Sequence, residues 1–121
     1  MIPVQISGGT LATRIDGEAG KPWLVLSNSL AADGTMWDGD MPALTARYRV
    51  LRYDTRGHGA SEAPAGDYAF ADLVADVVAV MDHHGIGRAS YMGLSLGGMT
   101  GLGLALAHPD RVERLVCCDA R

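Results

Sequence analysis

A serine flanked by glycines at Gly93–Gly97 has a spacing that could support nucleophilic catalysis. The pentapeptide Gly93-Leu94-Ser95-Leu96-Gly97 fits the pattern G-x-S-x-G, with a predicted strand before the serine and a predicted helix after it. A serine hydroxyl is a weak nucleophile until a base reaches it, and a tight strand-to-helix turn would expose its Oγ above a sheet edge. Ser95 is therefore the candidate catalytic nucleophile. The alternative is a glycine-rich packing turn with a bystander serine.

The residue after this serine is a candidate for stabilising negative charge. A helix N-terminus presents free backbone N–H groups and a positive partial charge, which is what a developing oxyanion requires. The N–H of Leu96 would be one such donor. The glycines on either side of Ser95 are expected because a Cβ would collide with the neighbouring backbone in so tight a turn.

Apolar periodicity predicts the elements that must hold this turn. Strands are predicted at Val4–Ile6, Leu11–Ile15, Trp23–Leu26, Tyr48–Tyr53, Ala89–Leu94 and Val112–Cys118. Helices are predicted at Met36–Arg47, from Phe70 to a stop at Gly85, and at Leu96–Ala107. Because strands alternate with helices from Trp23 onward, we expect an α/β fold with a mainly parallel sheet of about six strands flanked by helices.

Composition excludes several classes of protein. The 121 residues carry 48% hydrophobic and 20% charged residues and a formal charge of −4, which is ordinary for one folded domain. No basic block exists to neutralise a nucleic-acid backbone, so we expect no nucleic-acid partner. The adjacent Cys117 and Cys118 have neither metal-ligand nor disulfide spacing, and the first ten residues are unlike a secretory leader. A cytoplasmic protein is predicted.

One uncharged stretch is long enough to cross a bilayer. The nineteen residues from Ala89 to Ala107 contain no charge, but five of them are glycines, which disfavour a helix. The stretch also divides naturally at Ser95 into a strand and a helix. We therefore expect no membrane span.

The chain resembles the N-terminal part of an α/β-hydrolase over nearly all of its length. The residues from Asp54 to Ser61 match that family's D-x-R-G-x-G-x-S loop after the fourth strand, and Gly93–Gly98 match its nucleophile elbow after the fifth. Within the superfamily the chain is similar to 3-oxoadipate enol-lactonases. That similarity is carried by Ser27-Asn28-Ser29-Leu30, Arg52-Tyr53-Asp54 and Gly93–Met99.

The resemblance implies a function and further site residues. The implied activity is hydrolysis of a carboxylic ester or lactone, namely 3-oxoadipate enol-lactone on an aromatic-degradation pathway, through an acyl-enzyme on Ser95, with no metal or organic cofactor. The N–H of Leu30, in the loop after the third strand, would be the second oxyanion donor, and Ser29 is a candidate for lining the substrate pocket. The alternative for residues 27–29 is an ordinary polar turn.

The general base is the missing part of this machinery. Geometry removes His83, His84 and His108, which we expect roughly 20 Å or more from Ser95 along their elements. Only His58 lies at the predicted edge, but the resemblance makes its loop structural, with Asp54 and Arg56 bonding the turn. The family's acid and base follow later strands. Residues 1–121 are thus interpreted as the N-terminal portion of a single α/β-hydrolase domain, lacking the cap and C-terminal strands.

Two expectations follow from that interpretation. The isolated chain should be nearly inactive, because loss of the base costs several orders of magnitude in rate. A C-terminal segment or second polypeptide should complete the fold and supply acid and base. The elbow alone leaves open a cofactor-free peroxidase, an acyl transferase or a small-molecule receptor. It also leaves open an inert fragment that binds partners through its last, apolar strand.

Overall fold

The apolar runs of the sequence form one sheet of six strands. In the computed structural model, which describes residues 1–118, the strands are β1 (Ile2–Ile6), β2 (Gly9–Asp16), β3 (Trp23–Ser27), β4 (Arg49–Tyr53), β5 (Ala89–Leu94) and β6 (Val112–Cys118). Their order across the sheet is β1-β2-β4-β3-β5-β6. The β1–β2 and β2–β4 pairs are antiparallel, and the other three pairs are parallel. The predicted α/β fold is confirmed.

Three α-helices cover the sheet within the described residues. They are α1 (Met41–Thr45), α2 (Phe70–His83) and α3 (Leu96–Ala107). The larger core cluster joins one sheet face to α2 and α3 through side chains such as Val25, Leu51, Val77 and Leu104. A smaller cluster on Leu24, Leu26 and Val50 packs against Trp37 and Met41. Helices on both faces leave the carboxyl ends of the parallel strands free to carry a site.

The predicted helix Met36–Arg47 is instead two short pieces. A 3₁₀ helix spans Gly34–Asp40, and α1 follows with little more than one turn. Pro42 explains the break, because it has no N–H and its ring disfavours a preceding α-helical turn. The Met41 N–H donates to the carbonyl of Asp38, three residues back, so the chain tightens before α1 begins.

The stretch from Ala89 to Ala107 divides as predicted. Residues up to Leu94 form β5, and α3 begins at Leu96, so Ser95 is the only residue between the two elements. Among residues 1–118, no helix has both the length and the apolar character needed to cross a membrane. The predicted range 1–121 includes three residues, 119–121, that lie outside the described part.

Candidate active site

Ser95 occupies a strained turn at the carboxyl end of β5. Its backbone has φ 55° and ψ −112°, and the side chain is half-buried. Within residues 1–118 one other non-glycine residue has positive φ, namely Ala31 at 61°. Such conformations cost of order 1–3 kcal/mol each and persist where the surroundings impose them, often at functional sites. The two strained residues directly follow Leu30 and directly precede Leu96, the two predicted oxyanion donors.

Glycines on either side of Ser95 let α3 lie directly on the sheet. A Cβ on Gly93 would overlap the Gly97 carbonyl and lie 2.6 Å from the Gly98 nitrogen. A Cβ on Gly97 would overlap the backbone of Ser27, 2.6 Å from its carbonyl carbon. Neither position tolerates a side chain without moving backbone. The first turn of α3 is thereby held against the carboxyl end of β3.

The backbone amides around Ser95 have different partners. The Ser95 N–H donates to the Cys118 carbonyl at 2.7 Å, and the Ser95 carbonyl accepts the Met99 N–H at 3.0 Å. The Leu96 N–H belongs to the first helical turn, where no carbonyl of the same helix is in position to accept it. Ser95 therefore has its own amide occupied, whereas among residues 1–118 no backbone carbonyl accepts the Leu96 N–H.

The loop after β3 is fixed by the buried side chain of Asn28. Its Nδ2 donates to the Tyr53 carbonyl at 3.0 Å, and its Oδ1 accepts the Trp37 indole N–H at 2.8 Å. Asn28 is fully buried, so water does not reach its side-chain amide. Asn28 thus has a structural role that its place in the polar segment 27–29 did not reveal. Trp37, nine residues further along the chain, was the feature of the sequence that could have indicated this role.

Leu30 and Ser29 lie in the turn that Asn28 anchors. The Ala32 N–H donates to the Ser29 carbonyl at 3.3 Å, closing the turn around the strained Ala31. The Leu30 side chain is 68% exposed, so it does not belong to the core. Ser29 is half-buried, with its Oγ 4.0 Å from the Met36 sulfur. Gly97 contacts the backbone of Ser27 and Asn28, so this turn and the elbow are neighbours.

The loop after β4 is structural, as the resemblance implied, although its two charged residues act differently. The Asp54 carboxylate accepts the N–H groups of Gly34 at 2.8 Å and Ala60 at 3.0 Å, which ties the loop together. Arg56 instead forms a bidentate pair with Asp76 of α2, with both N···O distances 2.7 Å. The Arg56 side chain therefore fastens the loop to α2.

The four histidines occupy three separate places. His58 has Nδ1 3.1 Å from the Arg56 carbonyl, a bond inside its own loop. His83 and His84 lie at the end of α2, where the Nε2 of His84 is 3.0 Å from the Thr13 hydroxyl. His108 directly follows α3. None of these contacts supplies the carboxylate-oriented base that an activated serine requires.

Within residues 1–118, no group of three or more His, Cys, Asp or Glu side chains is arranged to hold a metal ion. A cavity of about 210 Å³ lies beside Thr13, Arg52 and Asp54, and Ser95 does not line it. The chemically suggestive feature is therefore the open turn at Ser95 and not an enclosed pocket.

Comparison with known proteins identifies the family. The sequence profile described as "alpha/beta hydrolase fold" matches residues 22–120. The crystal structure of an enol-lactonase from Burkholderia xenovorans LB400 superposes with a TM-score of 0.90 and 51% identity, covering 93% of this chain and 44% of that one. The chain belongs to the α/β-hydrolase-fold family.

Two curated relatives differ in their named activities. The chain is 42% identical over 103 residues to 3-oxoadipate enol-lactonase 2 of Acinetobacter baylyi, covering 85% of this chain and 39% of the relative. It is 43% identical over 100 residues to a Caulobacter segnis protein named as a carbamate hydrolase, RutD, covering 81% and 38%. The chain thus spans about two-fifths of the length of these relatives.

Proposed function

We propose that this chain is the nucleophile-bearing part of a serine hydrolase that cleaves a carboxylic ester or lactone. The observation that carries the proposal is the backbone of Ser95, which is strained at φ 55° between β5 and α3. We infer that this turn presents the hydroxyl at the sheet edge, beside a Leu96 amide that has no backbone acceptor among residues 1–118. Both features serve attack on a carbonyl carbon followed by stabilisation of its oxygen.

The proposed reaction proceeds in two stages. Ser95 Oγ attacks the carbonyl, its proton passes to a base, and the carbonyl oxygen takes up negative charge facing the amides of Leu30 and Leu96. Collapse releases the alcohol or enol and leaves an acyl-enzyme. Water, activated by the same base, then cleaves the acyl-enzyme and restores the hydroxyl. This scheme requires neither metal nor organic cofactor.

The proposed substrate is 3-oxoadipate enol-lactone. It is supported by the 42% identity to the Acinetobacter baylyi enol-lactonase and by the 51% identity to the Burkholderia xenovorans structure. Ser29 is proposed to line the pocket, because it is half-buried in the turn that carries Leu30. Carbamate hydrolysis is the second candidate, favoured by the 43% identity to the Caulobacter segnis relative.

The acid and base are proposed to come from a segment outside residues 1–121. The relatives are more than twice as long as the matched region. On the described chain, β6 has β5 as its only strand partner, and Val116 in β6 is 50% exposed. A further strand alongside β6 would bury that apolar edge. The proposed partner is therefore the remainder of the domain, in the same chain or in a second polypeptide.

Phosphonylation by a fluorophosphonate probe tests the nucleophile. We expect labelling in the protein produced from its full reading frame, loss of labelling in Ser95→Ala, and unchanged labelling in Ser7→Ala, a serine in the exposed β1–β2 turn. Labelling that survives Ser95→Ala would overturn the assignment. Strong, Ser95-dependent labelling of residues 1–121 alone would overturn the need for a further segment.

Turnover then separates the substrates. The full protein should hydrolyse 3-oxoadipate enol-lactone with a kcat/KM at least a hundredfold above that for carbamate, and Ser95→Ala should abolish both activities. The reverse preference would establish the carbamate candidate. Ester turnover that is indifferent to Ser95 would contradict the serine mechanism.

A further inference from the structure

A buried tyrosine lies directly beneath the first two turns of α3. Tyr91 of β5 is 1% exposed, and its ring packs so closely on α3 that a Cβ on Gly101 would be 2.5 Å from Cε1. Its hydroxyl oxygen is 3.0 Å from the carbonyl oxygen of Gly97. The ring and hydroxyl of one residue thus contact α3 at positions four residues apart.

The Tyr91 hydroxyl is the donor in this bond. Burial raises the pKa of Tyr91 well above its ordinary value, and neighbouring Tyr53 raises it further. The phenol is therefore neutral, and its O–H donates to the Gly97 carbonyl. Tyr53 is itself within 2.7 Å of the Ser27 hydroxyl and accepts the Asn28 amide on its backbone carbonyl. These buried polar groups join the ends of β3 and β4, while Tyr91 fastens β5 to the first turn of α3.

The beginning of α3 needs such a restraint. The Ser95 side chain forms no capping hydrogen bond, so the helix starts without the usual side-chain acceptor for its first amides. The positive φ of Ser95 persists only if the surrounding structure imposes it. Among residues 1–118, the restraints include the Ser95 N–H bond to Cys118, the close glycine contacts and the Tyr91 bond to Gly97.

We propose that Tyr91 is a positioning residue for the oxyanion site: its bond to the Gly97 carbonyl holds the first turn of α3 so that the Leu96 amide points at the carbonyl oxygen of a substrate bound at Ser95. This inference rests on the proposed function, because it assigns Tyr91 an effect on the step that Ser95 performs. Tyr91 itself does not touch the substrate.

The test compares two tyrosine-to-phenylalanine variants in the protein produced from its full reading frame. Tyr91→Phe keeps the ring against Gly101 and removes only the hydroxyl. Tyr68→Phe removes a bond of the same chemical type, from a hydroxyl to the Pro64 carbonyl at 2.6 Å, in the loop before α2. Both are assayed with p-nitrophenyl acetate for kcat and KM, and with hydrogen exchange of the Met99 amide, which donates to the Ser95 carbonyl.

For Tyr91→Phe we expect kcat to fall about tenfold with KM within twofold of wild type, since the loss of an interaction that acts only in the transition state lowers kcat and leaves KM nearly unchanged. Exchange at Met99 should accelerate at least tenfold. Tyr68→Phe should leave both unchanged. An unchanged kcat in Tyr91→Phe, an unchanged Met99 exchange rate, or an equal loss of kcat in Tyr68→Phe would overturn the positioning role.

A different experimental result would overturn the proposed function itself. If Ser95→Ala retains the wild-type kcat, Ser95 is not the nucleophile, and the role of Tyr91 falls with it. If Ser95→Ala is inactive and Tyr91→Phe is fully active, only the role of Tyr91 is lost.

Discussion

Ser95 is bonded through its backbone to Cys118, with 2.7 Å between the Ser95 nitrogen and the Cys118 carbonyl oxygen. The turn after β5 is therefore held by the end of the neighbouring strand β6, which lies in parallel register with β5 from Tyr91 to Leu94. A nucleophile supported in this way depends on sheet pairing as well as on its own helix. The same bond occupies the Ser95 N–H, so the candidate oxyanion donor on this turn is the next amide, that of Leu96.

Gly97 sets the distance between α3 and the end of β3. Gly97→Ala should lower the free energy of unfolding by about 3 kcal/mol. The reason is that the added Cβ overlaps backbone atoms, and no change of side-chain rotamer relieves that overlap. The matched control is Gly87→Ala, where no heavy atom lies within 4 Å of the added Cβ. Its effect should stay within about 0.5 kcal/mol. Urea denaturation measures both, and equal midpoints for the two variants would contradict the contact.

The buried pair Arg56–Asp76 joins the loop after β4 to α2, and its side chains are 8% and 4% exposed. Asp76→Asn leaves the Arg56 charge buried without a partner and should cost about 3–5 kcal/mol. The comparison is Asp82→Asn, which breaks the pair with Arg111 at a carboxylate that is 62% exposed and should cost about 1 kcal/mol or less. A loss as small for Asp76→Asn as for Asp82→Asn would show that the pair is solvated.

The His58 side chain is hydrogen-bonded within its own loop. His58→Gln should therefore leave the rate of Ser95 phosphonylation within twofold of wild type. The reason is that Nδ1 of His58 bonds the Arg56 carbonyl, and among residues 1–118 no carboxylate is hydrogen-bonded to the ring to orient it as a base. Stopped-time labelling followed by mass spectrometry gives the rate. A fall of a hundredfold or more in a folded variant would instead assign His58 as the base.

His84 makes the stability depend on pH. Burial lowers its pKa below the ordinary 6.5, and the charges of His83 and Arg49 lower it further. The unfolded chain therefore binds this proton more readily than the folded one. The contribution of neutral His84 to stability is present above pH 6.5 and is lost as the pH falls below it.

His84→Gln should consequently flatten the pH dependence of the unfolding free energy between pH 7.5 and pH 5, measured by urea titration at each pH. The glutamine amide can still donate to the Thr13 hydroxyl, which itself donates to the Ile2 carbonyl at 2.7 Å. A variant whose slope equals that of wild type would show that another group carries the effect.

Much of this fold could be predicted from local pattern alone. Apolar runs located the strands, helical periodicity located α2, and a stretch of small residues ended by Pro109 located α3, because burial leaves a direct trace in residue order. The division at Ser95 was also predictable, since glycines at 93 and 97 disfavour a continuous helix. The prediction of a single helix at Met36–Arg47 was wrong. Its apolar spacing suits a helix, but Pro42 has no backbone N–H to donate, and the segment forms a 3₁₀ helix followed by one α-helical turn.

The residue order by itself determined which groups could take part in catalysis. They are a serine in a G-x-S-x-G turn at the end of a parallel strand, and the backbone amide that follows it. Only the tertiary structure decided how that turn is held. The Asn28–Trp37 bond, the Tyr91–Gly97 bond and the Arg56–Asp76 pair each join residues whose partnership depends on how strands and helices pack. Periodicity reports which face of an element is buried, whereas a hydrogen bond depends on where two elements meet, and that is settled only when the whole sheet is assembled.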